Sequence, residues 1–324
     1  MSSQPFRLAD LTPAQMPRGA SCWRAEVCAG AACEVLAVVG TQPGPTLLVV
    51  GAVHGDEYEG PTAIPRFLAE LDATALRGTV IGIPVLNEPA FYNTTRGNPD
   101  DQQNLARVFP GRPDGTVTER IAHAATALMA RCDAFCDLHA AGTFYELHPW
   151  AGYAVVADAA VLGTQRRMAF AFGLDFVWGT PMGPGRSLAA AAELGIPAIY
   201  VEQRGAGQCR PADVARNVAG LHGLCAALGL TDGEFATSTR WWRESSEADE
   251  GHLQVDHPAP CRGLFEPKVA LWDEVAEGDT LGWVGSPGGG QRQTVRAARA
   301  GRVAMLRVAP PVNVDDYLAV VVPV

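Results

Sequence analysis

His54 and Glu57 stand three residues apart in the segment TLLVVGAVHGDEYEG at residues 46–60. At that spacing an imidazole nitrogen and a carboxylate oxygen can turn toward one cation, and zinc accepts the mix at about 2.0–2.2 Å. A catalytic zinc takes three protein ligands and keeps one position open. His139, at the end of the mostly apolar run 135–138, is the candidate third ligand. Asp137 lies two residues earlier and so shares a strand face with His139, where it can orient the ring. A competing set, Cys132, Cys136 and His139, lacks a second Cys pair at finger-like spacing, and buried thiols packing as small hydrophobes explain it better.

Hydrolysis also needs a base that takes a proton from the bound water and returns it to the leaving group. Glu202 ends the apolar stretch 198–201 beside the Gly-rich turn 204–207, which makes it the candidate base. Arg96 and Arg107 lie on a long polar loop, and a guanidinium can grip a carboxylate with two hydrogen bonds or stabilise an oxyanion. Taken singly, each residue has a plainer reading: a strand-end histidine, a solvated carboxylate, a loop arginine in a surface ion pair. His123 and His148 lack such placement and are read as structural.

The elements that must position these residues are legible from apolar patterning. Residues 47–50, LLVV, have no alternating polar positions and read as a strand buried on both faces. His54 and Glu57 then follow a strand's carboxyl end, where open α/β sheets place their sites. Strands are expected at 23–27, 34–39, 79–85, 134–139, 153–157 and 197–202, with a turn at 42–45. Helices are expected at 61–71, with Pro61 at the first helical position, and at 116–130, 163–172, 187–194 and 212–228. Residues 87–113 read as a long loop, and loops of that length in compact domains are usually functional or disordered. Strands alternating with helices imply a layered α/β domain. After residue 232 the pattern turns polar and then becomes short strands at 269–271, 280–284, 293–297, 301–308 and 317–322. The expected organisation is a hydrolase domain over 1–245 and a small all-β domain over 246–324.

Bulk properties narrow the class. The chain has 324 residues, 48% hydrophobic and 19% charged, as folded globular proteins do. A net charge of −10 argues against a nucleic-acid surface. No apolar run approaches the roughly 18 residues of a membrane span, and the amino terminus lacks a basic region followed by an apolar core. The eight Cys are scattered rather than arranged as a small framework. Reduced thiols and a cytoplasmic location are therefore expected.

Together GAVHGDE, the step Thr95-Arg96, NLARVFPG, CDLHA and YVE resemble the succinylglutamate desuccinylase and aspartoacylase family of zinc amidohydrolases, related to the zinc carboxypeptidases. The likeness runs in order from about residue 45 to 205. GLFEP and VRAARAGRV resemble the small barrel-like domain that members carry. The resemblance implies a carboxypeptidase-like mixed, mainly parallel sheet between helices. It implies one zinc ion per chain held by His54, Glu57 and His139, with Glu202 as general base and proton shuttle. Arg96 would polarise the scissile carbonyl and Arg107 would grip the substrate carboxylate, with Asn104 and Arg186 as further substrate contacts. Ala106 stands where relatives often have Asn before the second arginine, so neither acetylaspartate nor succinylglutamate is assumed as substrate. The implied partner is a small N-acyl amino acid or similar carboxylate-bearing amide, and homo-oligomerisation is left open.

Three rivals remain at this stage. One is a carboxypeptidase acting on short peptides. Another is a non-catalytic relative that senses an acylated metabolite, although a pure binder has no need of Glu202 as a proton shuttle. A swinging-arm carrier is disfavoured, because the single Lys, Lys268, does not sit at a hairpin tip.

Overall fold

The computed structural model describes residues 6–235, 237–247, 256–290 and 292–323. The main sheet draws on β1 (Phe6–Arg7), β2 (Gly19–Cys28), β3 (Ala31–Val39), β4 (Gln42–Gly51), β5 (Arg77–Ile83) and β6 (Ala134–Ala140). After the short β7 (Tyr145–Leu147), which belongs elsewhere, it adds β8 (Trp150–Ala154), β9 (Phe176–Thr180), β10 (Ala198–Gln203) and β11 (Trp241–Glu244). The order across these ten strands is β1-β2-β3-β5-β4-β6-β10-β8-β9-β11. Pairing is mostly parallel, with antiparallel steps at β2/β3, β3/β5 and β10/β8. This is the mixed, mainly parallel sheet expected.

Leu47, Leu48, Val49 and Val50 are all buried at the centre of the sheet, because helices cover both faces. On one face α1 (Glu59–Glu70), α4 (Ala159–Ala171) and α6 (Pro211–Ala227) supply Phe67, Met168 and Leu221 against Leu47 and Val49. On the other, α3 (Val117–Met129) and α5 (Ser187–Glu193) supply Ile121, Leu128 and Leu188 against Leu48, Val50 and Phe135. The side-chain alternation of a strand thus splits one apolar run between two cores. α3 opens with a reciprocal cap: Thr116 accepts from the Glu119 amide and Glu119 accepts from the Thr116 amide.

Several local expectations shift. Pro61 is the third residue of α1, where its missing N–H still falls among the donors a helix start leaves unpaired. Residues 42–45 extend β4 through an irregular pairing with Arg77 instead of turning. The polar loop contains the short α2 (Glu88–Tyr92), whose start Asn87 caps by accepting from the Ala90 amide. The strand expected at 153–157 lies three residues earlier, as β8. β9 and β11 were not anticipated.

β12 (Gly263–Pro267), β13 (Glu274–Val275), β14 (Thr280–Gly285), β15 (Arg292–Arg296), β16 (Gly301–Arg307), β17 (Pro311–Val312) and β18 (Ala319–Val322) follow. They form two small antiparallel sheets over their own core of Phe265, Leu281, Val303 and Val321. Residues 269–271, expected as a strand, are not one. β7 pairs with β16, setting Tyr145 opposite Arg307 and Leu147 opposite Met305. None of the eight Cys forms a disulfide. Among the described residues no helix is long and apolar enough to cross a membrane.

Candidate metal centre and substrate pocket

β4, β6 and β10 lie side by side and parallel, so their carboxyl ends open on one rim. The loop after β4 carries His54 and Glu57. His139 sits near the end of β6, and Glu202 pairs with it in register on β10. Three elements far apart in sequence therefore deliver one cluster, in which a ligand atom from each of His54, Glu57 and His139 lies within 4.8 Å of the others. His54 Nδ1 is 2.7 Å from Glu57 Oε1, and His139 Nδ1 is 2.9 Å from Glu57 Oε2. The three residues are only 3%, 2% and 9% exposed, so water does little to relieve the charges they carry.

The far nitrogens show what the near ones can do. His54 Nε2 faces Asn104 Oδ1 at 3.0 Å, and His139 Nε2 faces Asp137 Oδ2 at 3.1 Å. Both partners are acceptors, which assigns the ring protons to Nε2 and leaves the Nδ1 lone pairs aimed at the Glu57 carboxylate. Acceptors facing acceptors call for positive charge between them. Burial works against a charged His139, yet Asp137 and Glu57 push its pKa well above the usual imidazole range. Burial also opposes a charged Glu57, and the two imidazoles outweigh it and hold the carboxyl well below its ordinary value. Burial and the nearby Arg96 push His54 down. A proton on His139 supplies that charge in the metal-free site. With that proton released, two imidazole nitrogens and a carboxylate oxygen, both rings oriented from behind, form a donor set that fits zinc.

The local sequence permits this geometry through Gly55. A Cβ there would lie 2.1 Å from the carbonyl carbon and oxygen of Ala90 in α2, so only glycine lets the His54–Glu57 loop lie this close. Gly55→Ala is expected to destabilise the protein by about 3 kcal/mol and displace His54, since backbone cannot yield as a side chain does. Urea denaturation would measure the cost, and wild-type stability would refute it.

Asp137 receives a second contact from Ser187 Oγ, the first residue of α5, at 2.5 Å. The carboxylate is thereby fixed between His139 and a helix start. Asp137→Asn, which removes the charge behind the ring, is expected to weaken the affinity for a metal ion at these donors about 10–100-fold. Competition with a chromophoric chelator would read this directly, and unchanged affinity would assign Asp137 to packing alone.

Glu202, Arg96, Arg107 and Arg186 line a tight pocket together with His54 and His139. Arg96 reaches back to Glu57 Oε1 at 3.2 Å. Glu202 Oε2 is buried and has no hydrogen-bond partner among the described residues. Burial pushes the Glu202 carboxyl up to about 8, with His139 and Arg96 pulling against the push from burial and from Glu57. Burial, with repulsion from Arg186 and Arg96, brings Arg107 down to about 10. Guanidiniums this close to one another favour an anion between them. Ala106, Met182, Leu188 and Tyr200 supply the apolar wall.

Asn104, expected at the substrate, lies behind His54, where its Oδ1 also accepts from the Ala106 amide at 2.9 Å, and it does not line this pocket. Of the histidines read as structural, His148 stacks on Trp272 at 3.7 Å and bonds Asp175 at 2.9 Å, away from the donors. Asp56, inside GAVHGDE, and Ser187, at the start of the helix expected at 187–194, have no role assigned from the sequence, and no motif marks Tyr317. A roomier cavity of about 410 Å³ adjoins the pocket, sharing Arg96 and Glu202 with it, and Met305, Arg307 and Tyr317 form its far wall.

Comparison with known proteins agrees with this geometry. Residues 43–228 match the family described as Succinylglutamate desuccinylase/Aspartoacylase catalytic domain. The chain is 33% identical over 304 residues to the N-alpha-acetyl-L-2,4-diaminobutyric acid deacetylase of Halomonas elongata, covering 90% of this chain and 86% of that one. The product-bound ectoine utilization protein EutE (DoeB) from Ruegeria pomeroyi superposes with a TM-score of 0.87 at 28% identity, covering 96% of this chain and 98% of that one. A succinylglutamate desuccinylase/aspartoacylase from Rhodobacter sphaeroides gives 0.86 at 27% identity, covering 97% of each chain. Sequence match, shared fold and the His54/Glu57/His139 cluster converge: the chain belongs to the succinylglutamate desuccinylase/aspartoacylase family.

Proposed function

We propose that this chain hydrolyses the amide bond of an N-acyl amino acid, with one zinc ion held by His54, Glu57 and His139. The observation that carries the reading is the convergence of those donors with Glu202 and Arg96 on one pocket. Bound there, zinc would act as a Lewis acid and make water nucleophilic near neutral pH. Arg96, beside Glu57, is placed to share the charge that develops on the scissile carbonyl oxygen. Arg107 and Arg186 hold the substrate carboxylate. Glu202 takes the proton from the attacking water and delivers it to the departing nitrogen. Met305, Arg307 and Tyr317 line the adjoining cavity. The Halomonas relative is named for an N-acetylated diamino acid, a substrate of this class.

The test is amine release from a panel of N-acetyl amino acids and short peptides, comparing zinc-loaded and chelator-stripped protein. Hydrolysis of acyl amino acids by the loaded form alone is expected. Faster release of carboxy-terminal residues from peptides would make the protein a carboxypeptidase. Tight binding with no turnover would make it a sensor.

A further inference from the structure

We infer, resting on the deacylase reading above, that Glu59 is a positioning residue: it fixes the strand that carries the base against the loop that carries the metal donors. Glu57 follows β4 and Glu202 lies on β10. These strands do not pair with each other, and each pairs with β6, which stands between them. Their spacing at the rim is therefore left to whatever crosses the end of β6. Glu59, two residues after Glu57 and the first residue of α1, makes that crossing. Its Oε1 accepts from the amide of Gly205, three residues after Glu202, at 3.2 Å. Its Oε2 accepts from the Tyr58 amide at 3.3 Å. A Cβ on Gly60 would lie 2.9 Å from the Leu138 Cβ of β6, and one on Gly205 would lie 2.6 Å from the Ala141 amide nitrogen just beyond it. Both segments thus rest on the carboxyl end of β6.

The other bonds of the turn 204–207 tie it to the chain that follows β6. The Leu147 amide donates to the Arg204 carbonyl at 3.0 Å, the Ala206 amide to the Tyr145 carbonyl at 2.8 Å, and the Gly207 amide to the Gly142 carbonyl at 2.8 Å. Arg210 donates to the Gly205 carbonyl and to Glu146 Oε1, each at 3.1 Å. None of these reaches the metal loop. A contact between Thr62 Oγ1 and Cys209 Sγ, at 3.3 Å, is exposed and lies a turn further along α1. Glu59 itself is wholly buried, at 0% exposure. A buried carboxyl is costly unless donors reach it, and the two amides offset that cost. An apolar side chain would fill the same space and leave the Gly205 amide an orphan donor. What the carboxyl adds is a fixed reach between the segments that carry Glu57 and Glu202. Metal binding does not depend on that reach, because the three candidate donors come from the loop after β4 and from β6. Proton transfer does, since misplacing a group by about 1 Å can cost about 100-fold in rate.

The test is a double-mutant cycle on kcat, with zinc-loaded protein and an N-acyl amino acid that wild type hydrolyses. Glu59→Ala is expected to lower kcat about 10–100-fold, with zinc content and KM close to wild type. In the Glu202→Gln background the same change should cost less than about 3-fold, since the group it positions is already gone. Glu59→Gln, which keeps an oxygen for the Gly205 amide, should return kcat to within about 5-fold of wild type. Equal losses in both backgrounds, or loss of zinc, would make Glu59 a general support for the fold and overturn the proposal. If Glu59→Ala does not fold, Glu59→Leu, which fills most of the volume without an acceptor, takes its place in the cycle. Failure of both to fold overturns the proposal as well. If wild type hydrolyses no acyl amino acid, the deacylase reading falls by itself. The crystal structure of the folded variant then decides the positioning role. A turn 204–207 displaced from Glu57 supports it, and one that keeps its wild-type place overturns it.

Discussion

Glu57→Gln is expected to give a folded protein that loses zinc on dialysis and hydrolyses no N-acyl amino acid. Glu57 is the hub of the centre. Its two oxygens meet His54 Nδ1 and His139 Nδ1, and they also receive Arg96 and the Ala140 amide, the latter at 3.2 Å. Glutamine has nearly the same shape but removes the charge that balances the cation. It also offers an N–H₂ to a nitrogen that would otherwise bind metal. Losing a ligand should cost more than the ~100-fold upper range for residues that only orient one. Glu57 is almost wholly buried and paired with Arg96 and His139, so the neutral variant leaves those cations uncompensated and should be less stable than wild type. Its near-isosteric shape keeps the fold and a wild-type circular dichroism spectrum. Metal content by atomic emission and amine release are the two readouts. A variant that keeps stoichiometric zinc and near-normal turnover would remove the His54/Glu57/His139 assignment. Affinity should also fall on acidification, since both imidazoles must be neutral to ligate.

What the sequence disclosed, and what it withheld, follows from the range of the interactions involved. Leu47–Val50 is legible because burial on both faces writes itself as an unbroken apolar run, and His54 and Glu57 are legible because they follow it directly. His139 and Glu202 could be placed because each ends its own apolar strand. β9, FVWGT, is a five-residue run that follows the helix-ending Gly173, at φ 78°, and β11, WWRE, sits in a polar stretch. Their strand character comes from pairing, with Trp241 opposite Phe176 and Phe176 opposite Trp150, which no local pattern encodes. The same holds for the site. Asn104 behind His54, Ser187 behind Asp137 and Tyr317 at the adjoining cavity are joined to it only by tertiary contact. The pairing of Leu147 with Met305, which brings the carboxy-terminal strands to the rim, spans nearly half the chain and has no signature in either segment.

Glu202→Gln is expected to lower kcat about 10²–10⁴-fold while leaving zinc content and KM close to wild type. Glu202 belongs to β10, whose backbone pairs with β6 on one side and β8 on the other, so an isosteric change leaves the strand in place. It is none of the three candidate metal donors, so bound zinc should remain. What is lost is a carboxylate whose buried Oε2 has no hydrogen-bond partner among the described residues and so keeps its acceptor capacity for a water or a departing amine. The pH dependence follows from the same burial. Burial pushes Glu202 up to about 8 in the metal-free protein, and a base must be ionised to accept a proton, so activity should rise as pH climbs through its pKa. Zinc at the neighbouring donors adds positive charge that favours the carboxylate, which moves the acidic limb of kcat/KM below 8 in the loaded enzyme. The limb should vanish in Glu202→Gln, whose residual rate has no carboxyl to titrate at that place. Retention of the limb with an unchanged kcat would pass the proton-transfer role to another group. A proportional loss of zinc and activity would instead make Glu202 a support for the metal centre.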